Sequence, residues 1–475
     1  MIGNPNKVMR IDIDISGEQT LFAADIQTAL VNAEKEKDDL FLLVNETEAQ
    51  LKLLTPECDK IDYALAASCG ALCGIVDVFL VGDPTNSPLG KLNDKWIEGR
   101  VKIFAKILGW DEKTNSNPIA FLEKKFKVPY DQSTLGEASK EVFNLTPSNH
   151  HFKSLSHNPT ILGLFFSILD QFCNESHFVS DDQLIILEDA SKTFKLKGKT
   201  VPTKILAGIV NWIGHLISDA SGSSSSSGRG MGVPSPLWTW MNDVIAIKNK
   251  LNLPVSEFEK SFNELALKIY LKGYDARFQS TQAIPVLINE LLVRFLYSAR
   301  RMIRYYSVTL PESRSIEDLW SQCEPFKNAT VKRMLTVAHG SFCMVDIGDA
   351  MVRSISPAGV NVETLVMRIN IVGIGRFAIS LYGEGSSYIE RSVVVEDLDY
   401  LNKKQIILDD YIDGLRELSD KYDDIEINRF INDFINSSFY KEAFNKSVEL
   451  AEKREVPDDV ILRSKDDIDR YFRGG

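Results

Sequence analysis

The sequence predicts a mainly α protein: a multi-helix bundle core, a small α/β cap at the N-terminus and an acidic helical region at the C-terminus. Three observations carry that expectation. From Pro56 onward, apolar residues recur at helical spacing in long segments near 60–81, 89–109, 159–173, 202–219, 237–251, 255–271, 283–306 and 327–354. Strict apolar–polar alternation is found early, at Arg10–Ser16, R-I-D-I-D-I-S, and reads as a half-buried strand. The acidic excess sits at the other end, where residues 377–475 hold 23 acidic against 14 basic side chains, most of a net charge of −12. A chain of 475 residues is too long for one ordinary core, so subdomains are expected at 1–55, 56–376 and 377–475.

Taken in order, the cap consists of the Arg10–Ser16 strand, an amphipathic helix at Phe22–Glu34 and a second strand at Leu40–Val44. Residues 64–82, ALAASCGALCGIVDVFLVG, are nearly long enough to span a bilayer. Asp77 lies inside that run and would be costly in lipid, so a buried helix of a bundle is the preferred expectation. Helices begin at Pro159 and Pro202, since proline suits a first helical turn. Leu184–Leu187 and Thr193–Leu196 read as a hairpin inserted among the helices. Ser221–Gly232, SGSSSSSGRGMG, cannot bury apolar surface and reads as a flexible flap. It lacks the glycine patterns of nucleotide-binding loops. Ile406–Leu418 and Ile425–Phe439 keep helical periodicity, giving a solvated helical appendage suited to a protein partner.

The totals exclude some classes. With 44% hydrophobic and 25% charged residues the chain is globular in composition. Its net −12 argues against a general nucleic-acid binder, which needs a basic face. Six cysteines with no C-x-x-C pair indicate neither a zinc ribbon nor a disulfide scaffold. The start, MIGNPNKVMRIDIDIS, lacks the basic-then-apolar pattern of a secretory signal. The expectation is a cytoplasmic protein that associates with a membrane surface or a protein partner.

Chemistry concentrates in a few positions. Five of the six histidines fall between residues 150 and 215, and His150, His151, His157 and His215 are the four that the candidate site draws on. His215 and Asp219 are four apart on an apolar helix and project from one face, a stripe continued by Asn211 and Gly208. They either satisfy each other or bind a metal, because unpaired charge in such surroundings is expensive. His157 precedes a helix whose Thr160, Gly163, Ser167 and Asp170 form a polar or small stripe that can face the first across the bundle. Cys69, Cys73 and Asp77 share a face, as do His339, Cys343 and Asp346, and the two segments read alike: C-G-A-L-C-G-I-V-D against H-G-S-F-C-M-V-D. That echo suggests either a duplicated helical unit or two helices packed closely through Gly, Ala and Cys, with Asp77, Asp346 and Asp349 as candidate acids. Leu292–Tyr306 interleaves Arg294, Arg300, Arg301 and Arg304 with aromatics. Such a helix either pairs its arginines with carboxylates or rests on anionic lipid.

Part of the chain, about residues 60–240, resembles the LexA-regulated, membrane-bound metal-dependent hydrolases of the phospholipase-C-like type. The resemblance rests on Gly74-Ile75-Val76-Asp77, on His151 and His157, on His215-Leu216-Ile217-Ser218-Asp219 and on Gly232-Val233-Pro234-Ser235-Pro236-Leu237-Trp238. The acidic motif has one aspartate where the family usually has two, and the paired histidines are six apart instead of five. The resemblance implies a hydrolase of phosphoester or lipid-like substrates. Zinc or manganese would be held by Asp77, His151, His157, His215 and Asp219. Asp219 and Arg229 would serve catalysis, the latter from the serine–glycine flap. The alternative is a non-enzymatic helical scaffold that binds a partner through its acidic C-terminal helices.

Overall fold

A computed structural model describes residues 19–114, 117–129, 143–188, 194–225, 232–357, 359–423 and 439–472. The chain is mainly α, as its periodicity implies. It opens with α1 (Gln19–Leu54), α2 (Lys60–Val76, prolonged by a π-helical turn at Asp77–Val81), α3 (Pro88–Ile107) and α4 (Pro118–Lys125). One-turn α5 (His150–Lys153) and a 3-10 turn at Leu155–His157 lead into α6 (Ile161–Cys173). Strands β1 (Glu175–Ser180) and β2 (Gln183–Glu188) follow, then α7 (Val201–Asp219), α8 (Pro236–Lys250) and α9 (Glu257–Leu271). Next come α10 (Ala276–Val308), α11 (Ile316–Cys323) and α12 (Ala329–Ser354). A two-residue ladder, β3 (Ile355–Ser356) with β4 (Gly359–Val360), precedes α13 (Val362–Arg368), α14 (Ile371–Asp423), α15 (Phe439–Lys453) and α16 (Lys465–Phe472).

Two compact units result. One joins Met1–Leu54 to Ile389–Gly475, and the other comprises Thr55–Tyr388. In the first, α1 lies antiparallel to the later part of α14 over Ala33, Leu40, Leu408, Ile412 and Leu415. Lys37–Asp409 (2.6 Å), Lys404–Glu36 (2.8 Å) and Arg416–Glu34 (2.9 Å) flank that seam. The strand expected at Leu40–Val44 is therefore helical. Only Leu40 and Val44 of that run are buried, four residues apart, while Phe41, Leu42 and Leu43 face outward. The strand expected at Arg10–Ser16 lies outside the described residues.

The larger unit is built on α2 and α12. A Cβ on Gly70 would fall 1.9 Å from the Ala338 carbonyl oxygen, and one on Gly74 would fall 2.9 Å from Val345 Cβ. Positions rise together along both helices, so the pair is parallel and backbone-close. Helix α10 packs Val293 and Tyr297 against Ala66 and Cys69. Asp59 caps α2 by accepting the Ile61 and Asp62 amides, and buried Asp62 accepts Arg301 Nη2 at 2.9 Å and a second contact from Arg300. Arg300 also reaches Asp59 (2.9 Å). Two of the interleaved arginines thus find carboxylates. By length and composition Lys60–Val81 is apolar enough to cross a membrane.

The hairpin is shifted from its expected place. Leu184–Leu187 pairs backward with Glu175–Ser180 rather than forward with residues 193–196. Asp181 and Asp182, at φ 49° and 62°, supply the two left-handed residues that a tight two-residue turn demands.

Candidate metal centre

The chain from Asn144 to Ile161 is folded tightly by its own polar groups. Asn149 accepts the Thr146 amide (2.8 Å) and donates to the Asn144 carbonyl (2.9 Å), closing the turn that opens α5. Lys153 is buried and donates to Ser180 Oγ (2.7 Å), which ties α5 to β1. The next turn is gripped from several sides. Asn242 of α8 donates to the Phe152 carbonyl (2.7 Å) and Trp212 of α7 to the Ser156 carbonyl (2.9 Å). Ser156 Oγ donates to Asp170 of α6, which also accepts His177 Nδ1 (2.5 Å) and the His177 amide (3.3 Å) from β1. The result points His150, His151 and His157 inward, with His157 fully buried.

Helix α7 brings the other donors. Thr200 caps it, Pro202 sits in its first turn, and His215 and Asp219 stand four apart on its buried face. Gly214 permits the approach of α4, because a Cβ there would lie 2.3 Å from the Phe126 ring. The small and polar stripes of α6 and α7 do meet: Gln171 Nε2 donates to the Gly208 carbonyl (3.0 Å), and Asn211 Nδ2 donates to Gln171 Oε1 (3.0 Å).

The donor atoms converge. His215 Nε2 lies 3.3 Å from His157 Nε2 and 3.4 Å from Asp219 Oδ2. His157 Nε2 and His151 Nδ1 each lie 3.9 Å from the same carboxyl oxygen. An ion with bonds of ~2.0–2.1 Å to tetrahedral ligands separates its donors by about 3.3–3.4 Å, so the closest of these spacings are ligand-like. His157, His215 and Asp219 form one group able to hold a metal, and His150, His151 and His157 form a second that shares His157. His150 Nδ1 is 3.0 Å from the Pro147 carbonyl and so carries the proton, which leaves Nε2 as the lone-pair nitrogen. Burial, followed by the neighbouring rings of His151, His215 and His150, holds His157 well below the usual imidazole range. It is therefore neutral near pH 7, the state a metal requires.

Four of the five expected ligands, His151, His157, His215 and Asp219, come together here. Asp77 does not belong to either group. It continues the Gly70/Gly74 stripe, which faces α12, and its carboxyl accepts Asn370 Nδ2 at 2.5 Å. Arg229 lies outside the described residues. The stems of its loop are fixed nonetheless, since Asp275 accepts the Ser224 amide (3.1 Å) and Tyr270 donates to the Gly232 carbonyl (2.8 Å). Sequence reasoning missed His150 as a donor and Asp170 as the anchor of the His157 turn. The His150–His151 doublet was the available signal for the former. In comparisons with known proteins, no family model, curated protein or solved structure matches the chain.

Proposed function

We propose that the chain is a metal-dependent hydrolase whose ion is held by His157, His215 and Asp219, acting on a phosphoester or lipid-like substrate. One observation carries this reading: two imidazole nitrogens and a carboxyl oxygen, from two separate chain segments, lie within 3.9 Å of one another in a buried interior. Three protein ligands with a further position open is the pattern of catalytic rather than closed structural sites. A divalent ion there would acidify a bound water and polarise the scissile group. One carboxylate against a divalent ion leaves net positive charge in a poorly solvated site, which favours an anionic substrate group such as a phosphoester. His151, facing the same Asp219 oxygen, is placed to accept or return a proton beside that position.

The lipid-like part of the reading rests on the outer faces of the same helices. Helix α7 carries His215 and Asp219 inward, α6 carries the polar stripe that faces it, and the two expose Ile161, Phe165, Val201, Leu206 and Val210 outward. The resemblance to membrane-bound metal-dependent hydrolases points the same way.

Metal analysis of the purified chain tests the proposal. Stoichiometric zinc or manganese is expected, lost in His215→Ala and in Asp219→Ala, with hydrolysis of an aryl phosphate and a short-chain phospholipid falling to background in both. Metal-free protein whose thermal stability is unchanged in both variants would favour the scaffold reading instead.

A further inference from the structure

We propose that Asp77 and Asp346 form a buried proton-binding site, a carboxyl pair that shares one proton and thereby latches the end of α2 and the facing side of α12 to the elbow between α13 and α14. The pair uses none of the metal-centre residues. It is the meeting point of the two segments that read alike. Because α2 and α12 run parallel, with Gly70 against Ala338 and Gly74 against Phe342 and Val345, the aspartates that close the two motifs arrive side by side. Both are buried, at 1% and 2% exposure. Asn370 donates to both, Nδ2 to Asp77 and its backbone amide to Asp346, so one residue holds the two carboxyl groups together. Two ionised carboxylates held side by side in a buried site repel and can only accept, so a bond between them needs a proton.

Asn370 locks the arrangement to a hinge. It occupies the break where α13 and α14 meet at a 71° bend. Its Nδ2 donates to Asp77 (2.5 Å) and to the Gln282 carbonyl (2.9 Å), its backbone amide donates to Asp346 (2.8 Å), and its Oδ1 accepts the Gly373 amide (2.8 Å). Every donor of Asn370 is committed, which leaves the shared proton as the group that joins the two acids.

The charged surroundings do not remove that proton. From α12 come Asp349 and the Cys343 thiol, which burial pushes up to about 12 and so keeps neutral. From the end of α13 comes Arg368, already paired with Asp349 (3.0 Å) and Asp83 (3.3 Å), while Arg353 holds Asp349 from the other side (2.7 Å). From α10 comes neutral Gln282, which accepts the Tyr274 hydroxyl (2.7 Å). Burial, then the Asp346 charge, pushes Asp77 well above the usual carboxylate range, and burial pushes Asp346 up to about 6. Asp77 is pushed up by burial and by its neighbour's charge together, so it is the last of the two to give up the shared proton. Both folded values lie above the unfolded one of about 3.9, so the pair's contribution to stability is present in acid and is lost as pH rises, through Asp346 first and Asp77 last.

Three readouts on the full chain test this. Infrared spectra should show a protonated carboxyl band at neutral pH in the wild type that is absent in Asp77→Asn. As the pH rises above about 6 the melting temperature of the wild type should fall by several degrees more than that of Asp77→Asn, since asparagine retains the donor and cannot ionise. Amide exchange at residues 362–376, corrected for intrinsic rate, should accelerate over the same range in the wild type alone. No protonated carboxyl band in the wild type, or equal alkaline loss in both proteins, would overturn the proposal. Absence of the band in the wild type overturns the proposal even where the variant folds poorly.

Discussion

Asp170 belongs to neither group of candidate metal donors, yet the position of His157 depends on it. Its two oxygens accept from Ser156 Oγ, from His177 Nδ1 and from the His177 amide, so one buried carboxyl ties the 3-10 turn to both α6 and β1. Asparagine at 170 would keep the shape but present an amide donor to at least one of those donors. That conflict costs about 1–3 kcal/mol for the unsatisfied group. It should also let the His157 ring drift. Supporting residues of metal ligands typically alter affinity ~10–100-fold. Asp170 acts one residue away from the ligand, so Asp170→Asn should weaken zinc binding about tenfold, at the low end of that range. Competition with a chromophoric chelator measures this. Wild-type affinity in a destabilised variant would reduce Asp170 to a purely structural anchor.

Among the elements, the α2–α12 pair has the least room for change. A methyl at Gly70 would meet the Ala338 carbonyl oxygen at 1.9 Å, a backbone atom that no rotamer change can move. Gly70→Ala should therefore destabilise by about 1–3 kcal/mol or more, read as a shifted midpoint in denaturant, whereas Gly99→Ala, with open space around its added Cβ, should not. The existence of these helices was legible in the sequence, because α2, α6, α7, α9 and α12 all carry apolar residues at a sustained 3.6-residue period. Even the close packing of α2 and α12 through small residues was readable from C-G-A-L-C-G-I-V-D and its echo. The parallel direction of that contact was not, since the residue pattern does not say which way two helices run past each other. Short runs failed for a related reason. Leu40–Val44 has no internal period to separate helix from strand, and ESHFVS is too polar at its start to announce β1. At the site, the i, i+4 spacing exposed His215 and Asp219, and the histidine clustering exposed His151 and His157. Asp77 misled because its helix face, set by Gly70 and Gly74, could be assigned only once its neighbour was known.

At the scale of the whole molecule, charge and apolar surface are unevenly shared. The −12 is concentrated in residues 377–475, which leaves the preceding chain close to neutral. Within that near-neutral part, the exposed face of α7 (Val201, Leu206, Val210 and Ile213) is preceded by exposed Lys195, Lys197 and Lys199. An apolar helical face with a basic flank fits the surface of an anionic bilayer, apolar side chains entering the headgroup boundary and lysines meeting lipid phosphates. Each lysine near such a surface contributes about 1 kcal/mol, so replacing all three with glutamine should weaken binding to phosphatidylserine vesicles roughly a hundredfold. Raising the salt should mimic that loss, because screening shortens the reach of the same charges. Leu206→Asp together with Val210→Asp should abolish binding without moving the metal content, as both side chains point away from His215 and Asp219. Vesicle co-sedimentation reads all three effects. Equal sedimentation of the wild type and the glutamine variant, or none of the wild type with anionic vesicles, would take α7 out of any membrane contact and leave the proposed hydrolase with a freely diffusing phosphoester as its substrate.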